Sequence, residues 1–283
     1  MRDQAETLRL KMLKSQGELS KTIAIASGKG GSGKSYFTTN FAYALRAQSK
    51  KVIIIDMNVG MGNIHILLGM TPRYSLKDYL LGTKAIDEVI NKAPEGLTFI
   101  SGGSDLATIM EWSEEMFKRF TQALECLQKE YDFILFDIGA TQQPLELIVA
   151  VDEIIVILTK EQTSVTDAYS MMKFICVEDQ DKALFIVGNR SDDGNDTVMR
   201  LQYAVSKFLD KEMIILGYLP EDSYVHNAVV AQRPLLFLFP EAPISKIIMV
   251  IAETFIRGNA DQEQKKGDGF ISKLRNMFTK GRG

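Results

Sequence analysis

Two cysteines and two histidines are all that 283 residues contain of either type. Cys126 and Cys176 stand apart and match no metal-ligand or redox spacing, so a buried apolar role in a reducing cytosol is the expectation. His65 and His226 are equally isolated and give no metal site. No apolar run reaches the length of a membrane span. The N-terminus carries no hydrophobic signal core, so export is not expected. Internal repeats are absent. Charge of neither sign dominates: 33 Lys and Arg against 36 Asp and Glu leave a net −3. That argues against a broadly basic nucleic-acid surface, though not against a local patch. The rest is ordinary globular composition, 46 % hydrophobic and 24 % charged, in a chain long enough for one α/β domain with extensions.

Against that background the stretch Gly28-Lys-Gly-Gly-Ser-Gly-Lys-Ser35 stands out. It fits G-x-x-x-x-G-K-[ST], with an apolar run, Thr22 to Ala26, before it and a helical pattern after it, Phe37, Phe41, Ala44 and Leu45 on one face. Strand, glycine loop and helix together specify a phosphate site. Gly30, Gly31 and Gly33 let backbone N–H groups converge on phosphate oxygens, with Ser32 among them, and the helix that begins at Lys34, Ser35 and Tyr36 aims its N-terminus at the same anion. Lys34 is placed to reach the β- and γ-phosphates, and the Ser35 hydroxyl to ligate Mg²⁺.

Two further apolar runs end in an acid. Lys51 to Asp56 is continuously apolar before its aspartate, as a parallel strand covered on both faces should be, and so is Tyr131 to Asp137. A strand-end Asp taken singly is as readily a cap. The pair is better explained by one Mg–ATP site, with Asp56, Asp137 and Ser35 as the metal side. Strands are also expected at 97–100, 153–158, 183–187, 213–219 and 235–239. Helices are expected within 71–95 and over 113–130, 164–177 and 244–256, with Gly258 ending the last. Alternation at this length means right-handed crossovers and a doubly wound, mostly parallel, three-layer sheet. Trp112 reads as a partly buried anchor.

The second lysine of the loop, Lys29, narrows the class. K-G-G-x-G-K-S resembles the deviant P-loop of the MinD/ParA group of ATPases, the SIMIBI type of P-loop NTPase, and the likeness runs over about residues 20–256. It implies ATP and Mg²⁺ as ligands, hydrolysis of ATP, a sandwich dimer with ATP, and a Lys29 that acts in trans on the partner's nucleotide. Asp56 to Gly69 resembles the group's switch I, and Asp137-Ile-Gly-Ala140 its switch II, in which Gly139 could offer its N–H to the γ-phosphate. The resemblance places Asn189 and Arg190, and the loop Pro220-Glu221-Asp222, beside the adenine. One departure bears on catalysis. Where the group has a second switch I acid that activates water, this chain has Asn58. An amide can hold a water but is no base at neutral pH, and loss of general-base help typically costs about 10²–10⁴ in rate. If positioning matters more than proton abstraction, the cost is smaller. A non-hydrolysing ATP-binding scaffold is therefore a second reading. A nitrogenase-type iron protein is excluded by the missing cluster cysteines.

The two ends read as separate elements around an ATPase domain at 20–258. Residues 1–19 have a capping-box spacing at Asp3 and Glu6 and one apolar face of Ala5, Leu8 and Met12. Asp3-Gln4-Ala5-Glu-Thr-Leu8-Arg9 resembles the D-Q-A-x-x-L-R segment of the FlhG family of flagellar-number regulators. That implies stimulation of the SRP-type GTPase FlhF, with flagellar basal-body components as further partners, and Gln4 is the residue suited to orient a water. A frayed terminal helix is the alternative. Residues 259–283 read as a polar linker and an amphipathic helix: Phe270, Ile271, Leu274, Met277 and Phe278 share a face, flanked by Lys273 and Arg275. This resembles MinD's membrane-targeting helix and implies reversible binding to anionic lipid at the cytoplasmic face of the inner membrane, with basic side chains snorkelling. A tail helix docked on the protein's own body is the alternative. No specific nucleic acid is expected, and a division-site role of the MinD type competes with the flagellar one.

Overall fold

The computed structural model describes residues 20–58, 62–103, 111–139, 145–191, 196–260 and 269–280. The N-terminal segment, with Asp3, Gln4, Ala5, Leu8 and Arg9, lies outside the described residues. Strands β1 (Lys21–Ala26), β2 (Val52–Met57), β3 (Ile90–Lys92), β4 (Thr98–Ile100), β5 (Phe133–Ile138), β6 (Glu153–Thr159), β7 (Ala183–Asn189) and β8 (Ile214–Leu219) form one sheet. Its order is β3-β4-β2-β5-β1-β6-β7-β8, and every pairing is parallel except β3 with β4. Full burial of β2, β5 and β6 explains their unbroken apolar sequences, since helices cover both faces.

The helices are α1 (Lys34–Ala47), α2 (Ile64–Leu67), α3 (Leu76–Leu80), α4 (Ile86–Val89), α5 (Glu114–Glu130), α6 (Leu145–Ala150), α7 (Gln162–Glu178), α8 (Asp196–Leu209), α9 (Ser223–Val230), α10 (Leu235–Leu238), α11 (Pro243–Ala260) and α12 (Phe270–Lys280). Strand alternation sorts the core into two. Ile23, Ile25, Ile54 and Leu135 pack against α1 and α11, whereas Ala24, Ile53, Ile55 and Phe136 face α5, α6, α7 and α12.

Several sequence expectations are corrected. Leu235–Phe239 is not a strand but the short helix α10, entered through Pro234, and its first N–H donates to Asn40 Oδ1 at 2.9 Å. A five-residue apolar run suits either state, and docking on α1 decides it here. The stretch 71–95 is interrupted: α3 and α4 are single turns, and Ile90–Lys92 adds the antiparallel edge strand. Gly258 does not end the last domain helix, which runs on to Ala260; a Cβ there would meet open space. Trp112 is wholly buried, edge-on to Phe120 at 5.0 Å, and Cys126 is exposed rather than buried. In the sheet β5 lies between β1 and β2.

In this structure the tail takes the alternative placement, docked on the body. The apolar face of α12 is turned onto the body, not outward: Phe270, Ile271, Leu274 and Phe278 are buried against α5 and α6. The Phe278 ring stacks on Phe117 with centroids 3.8 Å apart, and Phe270 lies 5.7 Å from Phe136. Met277 is partly buried at the margin. The basic flanks are engaged too, Lys273 on Asp179 and Arg275 on Glu125, each at 2.8 Å. Asp179 also receives Lys182 at 3.2 Å, a lysine whose ammonium is buried and donates to the Val151 carbonyl. Among the described residues no helix is long and apolar enough to cross a membrane.

Candidate functional site

The loop after β1 turns through two left-handed glycines, Gly31 at φ 75° and Gly33 at φ 83°, conformations open to glycine at little cost. Gly33 is the N-cap of α1 and supplies no side-chain cap, so the helix start keeps its N–H groups for an anion. The Ser32 hydroxyl is buried without a hydrogen-bond partner among the described residues. A Cβ on Gly33 would lie 2.3 Å from Asn189 Nδ2, which donates to the Ser32 carbonyl at 2.7 Å. Asn189, at the end of β7, thus anchors the phosphate loop. Ser27 Oγ donates to the Lys29 carbonyl at 2.9 Å.

The first turn of α1 faces the end of β5. Ser35 Oγ donates to Asp137 Oδ2 at 2.6 Å, and Thr38 Oγ1 donates to Asp137 Oδ1 at 3.0 Å. Lys34 Nζ stands 3.8 Å from the same Oδ1 and is almost fully buried. Thr38 went unnoticed in the sequence; its position one turn beyond Lys34, on the loop side of α1, is the only signal it carries. Asp56 and Asp137 are direct partners in the β2–β5 register, and neither is exposed to solvent. Asp56 accepts N–H groups of Asn58 at 3.0 Å and Ile64 at 3.3 Å. Burial, and then the adjacent Asp137 carboxylate, push Asp56 well above the usual carboxylate range.

Two carboxylates with one lysine leave negative charge in a buried place. Hydroxyl and carboxylate oxygens are the donor set of a hard divalent cation, so Ser35, Asp56 and Asp137 fit Mg²⁺. Among the described residues no cluster of three or more His, Cys, Asp or Glu side chains forms that could hold a metal by itself. Phosphate oxygens would complete the shell.

Asn58 lies beside switch II. A Cβ on Gly139 would fall 2.8 Å from Asn58 Oδ1, so only a glycine fits there without displacement. β8 ends at Leu219 in register with Asn189, and Pro220, Glu221 and Asp222 follow it. Asp222 caps α9, accepting the Tyr224 N–H at 2.9 Å. Burial, then the Asp222 charge, raise the Tyr36 phenol above its ordinary range, and its hydroxyl has no hydrogen-bond partner among the described residues. Arg190 sits at φ 54° just past β7. Lys29 reaches across the loop and pairs with Glu161 of its own chain. The residues assigned to the membrane are not at this site; they lie in the α5–α6 groove.

Residues 20–183 match a family model described as an AAA domain. An uncharacterized ATP-binding protein of Methanocaldococcus jannaschii is 30 % identical over 89 % of this chain and 94 % of its own length. A flagellum site-determining protein, YlxH, of Helicobacter pylori is 29 % identical over 82 % of this chain and 80 % of its own. Among solved structures, the septum site-determining protein MinD of Pyrococcus horikoshii, complexed with Mg-ADP, superposes with a TM-score of 0.70 at 22 % identity, covering 88 % of this chain and all of that one.

Proposed function

The chain belongs to the MinD/ParA-type P-loop ATPases, and we propose that it is a flagellar member of that group, an ATP-switched regulator of flagellar number or placement that binds membrane reversibly. The Ser35–Asp137 hydrogen bond, with Asp56 beside it, is the observation that carries the nucleotide chemistry, because it puts the loop hydroxyl and both strand-end acids on one buried point. Lys34 and the loop N–H groups hold the phosphates, and Ser35, Asp56 and Asp137 hold Mg²⁺. Bound there, the cation neutralises charge on the phosphate oxygens. Asn189, fixed by Ser32, presents Oδ1 to the adenine amino group, with Arg190 and 220–222 alongside. Asn58 orients water without taking its proton, and Gly139 offers its N–H to the γ-phosphate. Turnover is therefore expected to be slow. ATP brings two chains together, with Lys29 of each directed to the other's nucleotide.

The docked tail supports a membrane switch. Asp137 and Gly139 lead, through 140–144, into α6, which walls the groove that holds α12. A switch II rearrangement on ATP binding acts on that wall directly. Release frees the face of Phe270, Ile271, Leu274, Met277 and Phe278, and frees Lys273 and Arg275 for anionic lipid. A dimer presents two tails, and the second contact is then intramolecular, worth about 10²–10⁴-fold in avidity.

The flagellar assignment rests on Asp3 to Arg9 and on the YlxH likeness. It is tested by deleting residues 1–19: nucleotide affinity and thermal stability should be nearly unchanged, whereas stimulation of GTP hydrolysis by FlhF should be lost. Stimulation that survives the deletion contradicts the assignment and leaves the division-site role of the MinD type as the better reading. The scaffold reading is favoured by Asn58 alone. Phosphate release measured with and without anionic vesicles separates it from a slow ATPase.

A further inference from the structure

Lys29 has two properties that pull in different directions. It is the lysine that the dimer reading sends to a second molecule, yet in this chain its ammonium is paired with Glu161 at the mouth of α7. The backbone on which Lys29 rides is well fixed. Its carbonyl takes the Ser27 hydroxyl at 2.9 Å. The preceding Gly28 lies so close to α7 that a Cβ would come within 2.5 Å of Asp167 Cβ and 2.7 Å of the Ala168 nitrogen. Loop and helix start therefore form one surface, and the freedom left to Lys29 is that of its side chain.

Glu161 is placed to give the lysine up. It is the N-cap residue of α7, but its carboxylate makes no cap hydrogen bond, and the first turn of α7 contains no acid. Its charge is spent on Lys29 first, with a smaller contribution from Arg190, and together they hold it below the usual glutamate range. Both partners are about half exposed, 45 % for the lysine and 52 % for the glutamate, so water can take over either one. Without Lys29, the carboxylate still has the positive end of α7 and Arg190 beside it. A carboxylate also offers an ammonium the same kind of charged oxygen that a phosphate does.

We infer that Glu161 is a positioning residue that holds Lys29 in its own chain, as a stand-in for the partner's nucleotide phosphates, and so sets the protein concentration at which ATP dimerises the chain. This rests on the trans role of Lys29 given above. An exposed pair of this kind shifts an equilibrium by about two- to fivefold. Two pairs open per dimer, so Glu161→Gln should tighten the ATP dimer by about 4- to 25-fold.

The test is sedimentation velocity of the full chain with Mg²⁺ and a non-hydrolysable ATP analogue, on wild type, Glu161→Gln, Glu161→Asp, Lys29→Ala and Lys29→Ala/Glu161→Gln. Expected are tighter dimers in Glu161→Gln, near-normal ones in Glu161→Asp, and no gain from Glu161→Gln once Lys29 is absent. The gain should also shrink at high ionic strength, where exposed pairs are screened; a merely structural effect on α7 would not follow salt. Unchanged or weaker dimerisation in Glu161→Gln, with Lys29→Ala defective, overturns the hold while leaving the trans lysine standing. A gain that persists without Lys29 also overturns the hold. Full dimerisation by Lys29→Ala overturns the trans lysine and the hold with it.

Discussion

Ser35 and Asp137, 102 residues apart, meet through a 2.6 Å hydrogen bond between hydroxyl and carboxylate, and Asp56 stands next to Asp137 in the neighbouring strand. The phosphate loop and the switch II strand are thereby joined. The two acids sit side by side in a place that water does not reach, and holding both of them charged there is costly.

It follows that Asp56→Asn should stabilise the free protein while destroying its use of Mg²⁺. Relief of a buried like-charge contact worth about 1–3 kcal/mol corresponds to a rise of roughly 2–10 °C in Tm for a domain of this size. Calorimetry with and without Mg–ATP checks both halves: a higher Tm in the free protein, and loss of the extra stabilisation that Mg²⁺ gives to ATP binding. A lower Tm in the free variant would mean that Asp56 is a structural anchor through its bonds to Asn58 and Ile64.

Asn58→Asp should raise the hydrolysis rate, by about 10²-fold if proton abstraction is what the amide lacks. The substitution is isosteric, so the contact with Gly139 is kept. Gly139→Ala should act the other way, since its methyl would collide with Asn58 Oδ1 and pull the switches apart. Single-turnover phosphate release measures both, and an Asn58→Asp rate equal to wild type would show that positioning, not a base, limits turnover.

Loosening the tail should uncouple membrane binding from ATP. Phe117→Ala removes the ring beneath Phe278, a loss of about 3–5 kcal/mol if the ring is fully buried. Because Phe117 also packs in α5, Asp179→Asn with Glu125→Gln provides the second variant, which removes only the partners of Lys273 and Arg275. Both should pellet with anionic vesicles in ADP as well as in ATP. Phe270→Glu/Leu274→Glu should pellet in neither.

Acid should also release the tail. Burial by itself would raise the Asp179 carboxyl, but Lys273, followed by Lys182, outweighs it and leaves it below its ordinary value of 3.8. A carboxylate depressed in this way contributes stability that is complete above 3.8 and is lost as pH falls through the lowered value. Docking should therefore be flat from neutral pH to about pH 5 and weaken only below. Fluorescence transfer between labels on α12 and α5 would record it, and a loss of docking near pH 6.5 would assign the latch to a different group.

Much of the nucleotide site was legible because its chemistry sits on local patterns: a glycine loop between strand and helix, and an acid at the end of each of two apolar runs. Strand order was not legible. Nothing local in 21–26 or 52–57 says that Phe133–Ile138 will lie between them, so the Asp56–Asp137 contact emerges only from the sheet. Thr38 and the anchoring of Ser32 by Asn189 were invisible for the same reason, being contacts across 99 and 157 residues. Leu235–Leu238 was misread because a short apolar run has no period. The resting place of the tail was not legible, for a deeper cause. A stripe of Phe, Ile, Leu and Phe with basic flanks satisfies an anionic bilayer and an apolar groove edged by Glu125 and Asp179 equally well, and the sequence of the tail does not contain the groove.

That ambiguity is also the proposed switch, and amide hydrogen exchange across residues 270–280 tests it most directly. In Mg–ADP these amides should be protected, because α12 lies in its groove. With Mg²⁺ and a non-hydrolysable ATP analogue, in the absence of lipid, they should exchange at least about tenfold faster, the factor that corresponds to a shift of about 1.4 kcal/mol. Adding anionic vesicles should restore the protection. Equal protection of 270–280 in the two nucleotides, with dimerisation confirmed in the same samples, would contradict the account.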